Sequence, residues 1–188
     1  MTIDKKILKD LRGFDWQKVL DYGYSLTDLN DAQLRFFKGL AIEKAIEHAS
    51  NGAIKYIGEE HRDFHWPKRK LYIEGKSQFS DTLFTKKAQL RGTLKIKLSN
   101  SNGTNKKGSI DPDDVADLLL LIRQDGVVVI DKQVVVAQSR ADGDGFVLTV
   151  KSSDVELVVG PLSVQNVYKT NLKEELYNAI ERSLSSLQ

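Results

Sequence analysis

Residues 117–130 read Asp-Leu-Leu-Leu-Leu-Ile-Arg-Gln-Asp-Gly-Val-Val-Val-Ile and contain the longest apolar run of the chain, Leu118 to Ile122. Apolar residues are nearly continuous from Asp117 to Arg123 and from Val127 to Val136, on either side of Asp125-Gly126. Strands that are buried on both faces show such runs, because neither face meets water. The Asp-Gly dipeptide favours a tight turn. We therefore predict two buried central strands joined by a tight turn.

The segments around these two strands include predicted helices and further predicted strands. Helices are predicted for Ile3 to Leu11, for Trp16 to Leu20, for a longer segment that Thr27 or Asn30 caps and Asn51-Gly52 ends, and for Leu172 to Leu187. Strands are predicted for Ala53 to Ile57, Leu71 to Ile73 and Thr93 to Leu98, and a further pair of strands for Phe146 to Val150 and Val155 to Val159. The polar stretch Gly58 to Lys70 is predicted to connect the first two strands. This order predicts an α/β (α+β) fold in which a central mixed sheet is flanked by helices.

The composition limits the class of protein. With 188 residues and 40% hydrophobic content, the chain can bury one good core, so we expect a single domain over residues 1–188. The absence of cysteine excludes a disulfide framework, a thiolate metal site and a thiol nucleophile. No apolar run approaches the length of a signal peptide or of a membrane span. We expect a soluble cytoplasmic protein that does not enter a membrane.

Positive charge is concentrated in the middle of the chain. The whole chain has a net charge of +2, whereas the segment from Lys68 to Lys107 contains eleven basic residues and two acids, leaving −7 for the remainder. A local excess of this size attracts phosphates and is typical of a protein that binds a polyanion. The alternative is a solvated surface whose charge is balanced by acids elsewhere in space.

Two groups of residues in this basic segment differ in their expected roles. The lysines and the arginine from Lys86 to Lys97 are candidates for contacts with phosphates. The polar loop Ser99 to Lys107 is the candidate for reading bases, because asparagine and lysine can pair with adenine and guanine in the major groove. The alternative is a surface loop with no target. The candidate DNA-binding residues are Lys86, Lys87, Arg91, Lys95, Lys97, Asn100, Asn102, Asn105, Lys106 and Lys107.

Glu74-Gly75-Lys76 is the candidate for chemistry. Glu74 and Lys76 are two residues apart on a predicted strand, so their side chains leave the same face while Gly75 faces the other way. We expect them at the emerging end of the strand that begins with Leu71. Phosphodiester hydrolysis uses carboxylates that hold a hard cation, and a positive charge near the attacking water. The alternative is an ordinary ion pair on an edge strand, and the same acid-x-Lys pattern recurs at Asp4-Lys5-Lys6.

A second carboxylate is available before this strand. Glu59, Glu60 and Asp63 all lie there, and spacing alone does not decide between them.

The histidines His48, His61 and His65 suggest a rival zinc site or a histidine-driven nuclease, although Trp66-Pro67 argues against the helix that such a site would need. We expect His61, His65 and Trp66 instead to line a DNA groove or to support the acids. Asp142-Gly143-Asp144-Gly145 is predicted to be a hairpin turn.

Asp63, followed after ten residues by Glu74-Gly75-Lys76, resembles the motif of the PD-(D/E)xK nuclease superfamily, and within it that of the type II restriction endonucleases. The resemblance implies a restriction-endonuclease-like core and a Mg²⁺-dependent site-specific deoxyribonuclease. It implies that Asp63 and Glu74 bind Mg²⁺, for which Mn²⁺ can substitute, and that Lys76 assists the attacking water. Glu43, where some members carry an acid on a helix, and Glu60 are further candidate metal ligands. The sequence departs from the motif in having Arg62 where the family has proline.

The resemblance also implies partners and a location. It implies a homodimer that acts on double-stranded DNA in a prokaryotic cytoplasm, with no organic cofactor, and the helical region 1–52 could contribute to the dimer. Two alternatives remain open from the sequence. One is a non-catalytic module that binds nucleic acid through the same basic segment, and the other is a repair-type nuclease of the same superfamily.

Overall fold

The computed structural model describes residues 3–26, 35–59, 62–79, 83, 94–96, 112–142, 145–150 and 152–160. The helices are α1 (Lys5–Arg12), α2 (Trp16–Ser25), α3 (Arg35–Ala49) and α4 (Lys132–Gln138). The strands are β1 (Lys55–Glu59), β2 (Arg62–Trp66), β3 (Leu71–Gln78), β4 (Leu94–Ile96), β5 (Leu118–Arg123), β6 (Gly126–Asp131), β7 (Ser139–Asp142), β8 (Gly145–Leu148) and β9 (Glu156–Val159). The predicted loop Ser99 to Lys107 and the predicted helix Leu172 to Leu187 lie outside the described residues.

Within the described residues, six strands form the main sheet in the order β1-β2-β3-β5-β6-β9. Strands β3 and β5 are parallel, and the other neighbours in this sheet are antiparallel. In the same part of the chain, a second sheet of three antiparallel strands has the order β4-β8-β7. The prediction of an α/β fold with a mixed central sheet and flanking helices is therefore confirmed.

Strands β5 and β6 are neighbouring inner strands of the main sheet and are buried on both faces. Leu118, Leu120 and Ile122 pack into a core shared with helices α1, α2 and α3, which we call the helix-side core. Leu119 and Leu121 pack on the opposite face, into a second core that includes residues of β6 and β8. The continuous apolar runs are explained as predicted, because both faces of these strands are covered and neither meets water.

The turn between β5 and β6 is fixed by its neighbours. The Asp125 carboxylate, which is buried, accepts a hydrogen bond from the Leu83 N–H at 2.7 Å. A Cβ on Gly126 would lie 2.4 Å from the carbonyl oxygen of Val159, so only glycine allows β9 to approach this closely. The predicted tight turn is confirmed, and Asp125 in the turn and Gly126 directly after it also contact segments that are distant in sequence.

Three N-terminal helices cover one face of the sheet. Asp4 caps α1, because its side chain accepts a hydrogen bond from the Lys6 N–H at 2.6 Å. The second acid-x-Lys pattern, at Asp4-Lys5-Lys6, is therefore a helix cap. Helix α3 ends as predicted, with Asn51 and Gly52 at φ angles of 51° and 73°. None of the helices in the described ranges combines the length and the apolar character needed to cross a membrane.

Four predictions of secondary structure were wrong. The stretch Gly58 to Lys70 is not a simple connection, since it contains β2, whose alternate residues Phe64 and Trp66 are buried. Strand β3 continues to Gln78, so Glu74 and Lys76 lie inside the strand and not at its end. Val127 to Val136 is not one strand, because Asp131 caps α4 through a 2.8 Å hydrogen bond from Gln133 N–H. Strands β8 and β9 do not pair with each other, because β8 belongs to the second sheet and β9 pairs with β6.

Two smaller predictions are met. Strand β4 lies within the predicted range Thr93 to Leu98 and pairs with β8. Asp142 pairs with Gly145 at the end of the β7–β8 ladder, as a hairpin turn requires.

Two isoleucines on neighbouring parts of the sheet test this packing. Ile73 of β3 is fully buried in the helix-side core, whereas Ile57 of β1 is 36% exposed. We expect Ile73→Ala to lower the free energy of unfolding by about 2–5 kcal/mol, because it leaves a cavity. Ile57→Ala should lower it by less than about 1 kcal/mol. Urea unfolding of both variants measures the difference, and equal losses would contradict the described packing.

Candidate active site

Strands β2 and β3 bring Asp63 to Glu74 and Lys76. Their antiparallel ladder pairs Trp66 with Leu71, His65 with Tyr72 and Phe64 with Ile73. Just past the last of these pairs, the Asp63 carboxylate accepts a hydrogen bond from the Gly75 N–H at 2.8 Å. Asp63 is therefore attached to the backbone between Glu74 and Lys76. The three residues proposed from the sequence for catalysis lie together.

Gly75 allows this close approach. A Cβ at Gly75 would lie 3.1 Å from the Phe64 ring and 3.6 Å from the Asp63 carboxylate. Phe64 belongs to the helix-side core, so Gly75 faces that core, as its position between Glu74 and Lys76 predicts. Glu74 and Lys76 pair in register with Leu119 and Leu121, which belong to the second core. Their side chains therefore leave the opposite face of the sheet.

The Glu74 side chain is largely buried, and one of its two carboxylate oxygens has no hydrogen-bond partner among the described residues. Its side chain is 12% exposed and forms an ion pair through Oε1 with Lys76, whose side chain is 35% exposed. The other oxygen, Oε2, is buried and accepts no hydrogen bond from the part of the chain that the structure describes. A buried carboxylate oxygen without a donor is costly. A hydrogen-bond donor or a cation at Oε2 would remove this cost.

Burial is the main reason why the pKa of Glu74 is raised. The Lys76 ammonium lowers this pKa, both by its charge and by its hydrogen bond. Asp63 raises it, by its charge and by the hydrogen bond that a protonated Glu74 can share with it. A second carboxyl group close enough to raise the pKa of Glu74 makes this a place where a cation would be stabilised.

Glu43 of α3 lies close to the same group. Burial raises the pKa of Glu43, and the charge of Asp63 raises it further. A hydrogen bond with Tyr56 and the charge of Lys76 lower it. The helix-borne acid that the resemblance suggested is thus within electrostatic reach of Asp63 and Lys76.

The candidates for the second carboxylate of the site, which are Glu59, Glu60 and Asp63, differ in their positions. Asp63 is bonded to β3, Glu59 is exposed at the end of β1, and Glu60 lies outside the described residues. Asp63 is therefore the candidate that the structure joins to Glu74 and Lys76.

The donors present suit Mg²⁺ better than zinc. In the described ranges, no group of three or more histidine, aspartate or glutamate side chains is arranged to hold a metal ion. Mg²⁺ is usually bound through one or two carboxylates, several waters and substrate phosphates, and so does not need such a group. Asp63 and Glu74 are two carboxylates that lie close together. Among the histidines, His48 is exposed on α3, His65 is stacked against Tyr72, and His61 lies outside the described residues.

Trp66 does not line a groove, contrary to the prediction. Its side chain is 1% exposed and its ring packs against Phe14 with the ring centroids 5.5 Å apart. Trp66 lies on the helix-side face of β2, whereas His65 faces the other way. Because successive side chains of a strand point to opposite faces, the neighbouring residues His65 and Trp66 lie on different sides of the sheet.

Of the ten predicted DNA-binding residues, Lys95 alone lies within the described residues. Lys95 lies on β4, where the backbone alone is described. The remaining nine lie outside the described residues: Lys86, Lys87, Arg91, Lys97, Asn100, Asn102, Asn105, Lys106 and Lys107.

Tyr56 and Tyr72 are neighbours of the site that the sequence analysis missed. Tyr72 is two residues before Glu74 on β3, so strand alternation could have placed it on the same face. Tyr56 reaches Glu43 only because α3 packs against β1, and no local pattern signals that contact.

Comparison of the chain with protein-family models, with curated proteins and with solved structures finds no match in any of the three. The function is therefore inferred from the site itself.

The raised pKa of Glu74 predicts a pH-dependent stability. Because the folded state holds this proton more tightly than the unfolded state, ionisation of Glu74 costs stability as pH rises above the ordinary value of 4.5 and through the folded pKa. Below 4.5 the carboxyl is protonated in both states and the cost is absent. We expect Glu74→Gln to be more stable than the parent protein near neutral pH, and the difference to shrink towards pH 4.5.

Urea unfolding over this pH range measures the effect. Glu59→Gln, at an exposed position of β1, is the matched control and should change the stability by less than about 0.5 kcal/mol throughout. A difference for Glu74→Gln that stays constant with pH would show that Glu74 does not titrate as described.

Proposed function

We propose that this protein is a Mg²⁺-dependent endonuclease that hydrolyses phosphodiester bonds in double-stranded DNA. The observation that carries the proposal is the convergence of Asp63, Glu74 and Lys76. Asp63 is bonded at 2.8 Å to the backbone N–H between the other two residues, and Lys76 is paired with Glu74. Two carboxylates and an ammonium group on adjacent strands are the groups that metal-assisted phosphodiester hydrolysis needs.

Asp63 and Glu74 would hold the cation. The buried and unsatisfied Oε2 of Glu74 and the neighbouring Asp63 carboxylate are suitable oxygen donors for it. When bound, Mg²⁺ supplies a Lewis acid that polarises the phosphoryl oxygen and lowers the pKa of a coordinated water. Glu60, which lies outside the described residues, is proposed as a further oxygen donor. Glu43 does not form a group of three metal-ligating side chains with Asp63 and Glu74 in the described residues, so we propose that it acts on the site through its charge.

Lys76 would orient the attacking water and stabilise negative charge on the phosphate. Its ion pair with Glu74 holds the ammonium group in place, and its side chain is exposed enough to meet a substrate. An ammonium group already fixed by the protein needs little reorganisation when charge develops on the phosphate.

The finer proposal is a type II restriction enzyme that works as a homodimer. One small site can cut one strand at a time, whereas two sites related by a twofold axis can cut both. The basic segment Lys68 to Lys107 supports DNA as the substrate, since its excess of positive charge would attract the phosphate backbone. The helical region 1–52 is the proposed contributor to the dimer.

Cleavage of plasmid and phage DNA tests the proposal. We expect Mg²⁺-dependent cutting by the parent protein, and a rate at least about 100-fold lower for Lys76→Ala, because a positioned proton-transfer or charge-stabilising group contributes this much. Lys55→Ala, which removes an exposed lysine of β1, should cut at the parent's rate. Lys76→Ala that cuts as fast as the parent would exclude the proposed role of this residue.

Metal-dependent DNA affinity separates the nuclease from a non-catalytic binding module. Both should bind DNA more weakly as salt is raised. Only the nuclease should bind DNA more tightly when Ca²⁺ or Mg²⁺ is added, and Glu74→Ala should abolish that gain while Glu59→Ala keeps it. Tight binding that is insensitive to the metal and is never followed by cleavage would favour the binding module. Faster cleavage of single strands than of duplex would favour a repair-type nuclease.

A further inference from the structure

Arg62, the residue that replaces the proline of the motif, is held in place by two contacts. Its guanidinium carbon lies 4.8 Å from the centroid of the Tyr72 ring. One of its terminal nitrogens, Nη2, donates a hydrogen bond to the carbonyl oxygen of Asp113 at 3.1 Å. The first contact places the guanidinium over the ring and the second fixes one edge of it. An arginine held in this way has less side-chain entropy to lose on binding a ligand.

The guanidinium keeps donors for a ligand. Arginine has five N–H donors, and the structure shows a described acceptor for Nη2 alone. Arg62 forms no ion pair with any carboxylate of the described residues, and its side chain is partly exposed. Its positive charge is therefore not neutralised by that part of the chain. A planar guanidinium with available N–H groups matches the geometry of phosphate oxygens.

Tyr72 is itself well supported. The His65 ring stacks on it, with the centroids 4.9 Å apart and the planes at 26°. His65 and Tyr72 are directly opposite each other in the β2–β3 ladder. The Tyr72 backbone N–H donates to the Asp117 carboxylate at 2.8 Å. The ring that carries Arg62 is thus fixed before any ligand arrives.

These residues adjoin the proposed active site. Arg62 directly precedes Asp63, and Tyr72 lies two residues before Glu74 on the same face of β3, about 7 Å along the strand. A phosphate between the carboxylates and the guanidinium would meet a proposed cation site on one side and N–H donors on the other.

We infer that Arg62 binds a phosphate of the DNA backbone at or next to the bond that is cut. Tyr72 is its positioning residue. The inference rests on the proposed function for the identity of the ligand, since the phosphate would belong to the substrate strand. The proposed contact adds a positive charge to the site from Arg62, a residue that is not part of the motif.

Binding of a fluorescently labelled duplex, followed by anisotropy in EDTA so that no cleavage occurs, tests the role of Arg62. We expect Arg62→Ala to bind about tenfold more weakly at low salt, as expected for a lost charge-assisted hydrogen bond. The slope of log K against log salt concentration should fall by about 1, because one phosphate contact is lost. Arg62→Lys should keep the slope and bind with intermediate affinity, since it keeps the charge without the planar donors.

Arg12→Ala is the matched control. Arg12 also donates to a backbone carbonyl, that of Leu157 at 3.0 Å, but this contact lies at the β9 edge of the sheet. Four strand spacings, or about 19 Å, separate β9 from β2. We expect Arg12→Ala to have the parent's affinity and slope.

Replacement of Tyr72 tests the positioning role. Tyr72→Phe keeps the ring and should bind DNA as the parent does. Tyr72→Leu should weaken binding in the parent background but not in the Arg62→Ala background, because its effect acts through the guanidinium. Equal weakening in both backgrounds would contradict the role of Tyr72, and urea unfolding verifies that each variant is folded.

The outcomes distinguish this inference from the proposed function. If Arg62→Ala and Arg62→Lys both keep the parent's affinity and salt slope, or if the parent binds no duplex at low salt, the inference is wrong. A loss of affinity confined to one DNA sequence would indicate base reading and also overturn it, since a phosphate contact acts equally on unrelated sequences. A parent that binds DNA through Arg62 but never cuts it with Mg²⁺ would refute the nuclease and leave the phosphate contact standing.

Discussion

The burial of β5 on both faces is the constraint on which the rest of the molecule depends. Leu118, Leu120 and Ile122 require helices on one side, and Leu119 and Leu121 require a second layer on the other. Strand β3 lies parallel to β5, so its side chains also alternate between the two faces of the sheet. Its Ile73 enters the helix-side core, while Glu74 emerges beside Leu119 on the opposite face. A carboxylate is thus placed against apolar neighbours by the same sheet that stabilises the fold.

That placement is unfavourable for stability. Glu74 is mostly buried, has one ion-pair partner and lies close to a second carboxyl group, which raises its pKa. A hydrophobic residue of similar size would be expected to stabilise the same position. Groups that conflict with their surroundings in this way are concentrated at functional sites, where the conflict prepares the site for a ligand. The surroundings of Asp63 are different, because its carboxylate accepts a backbone N–H at Gly75.

The parts of the fold that the sequence predicted are those with a strong local signal. Strands β5 and β6 were evident because their apolar residues are continuous, and α3 because Asn51-Gly52 marks its end. Strand β2 was missed because only Phe64 and Trp66 of it are buried, between charged and polar neighbours. For the same reason Asp63 was read as part of a connection, and the motif could give its spacing but not its contact with Gly75. The stacking of Arg62, Tyr72 and His65 joins two strands and the backbone near Asp113, which no pattern within one segment reveals.

Both tryptophans of the chain, Trp16 and Trp66, are buried in the helix-side core. The second core contains neither of them, so intrinsic tryptophan emission is a spectroscopic label for one side of the sheet only. A change in emission on heating or in denaturant reports that the helices have separated from β2. The β5–β6 ladder lies between the two cores, and loosening of the second core remains invisible to this signal unless these strands separate as well.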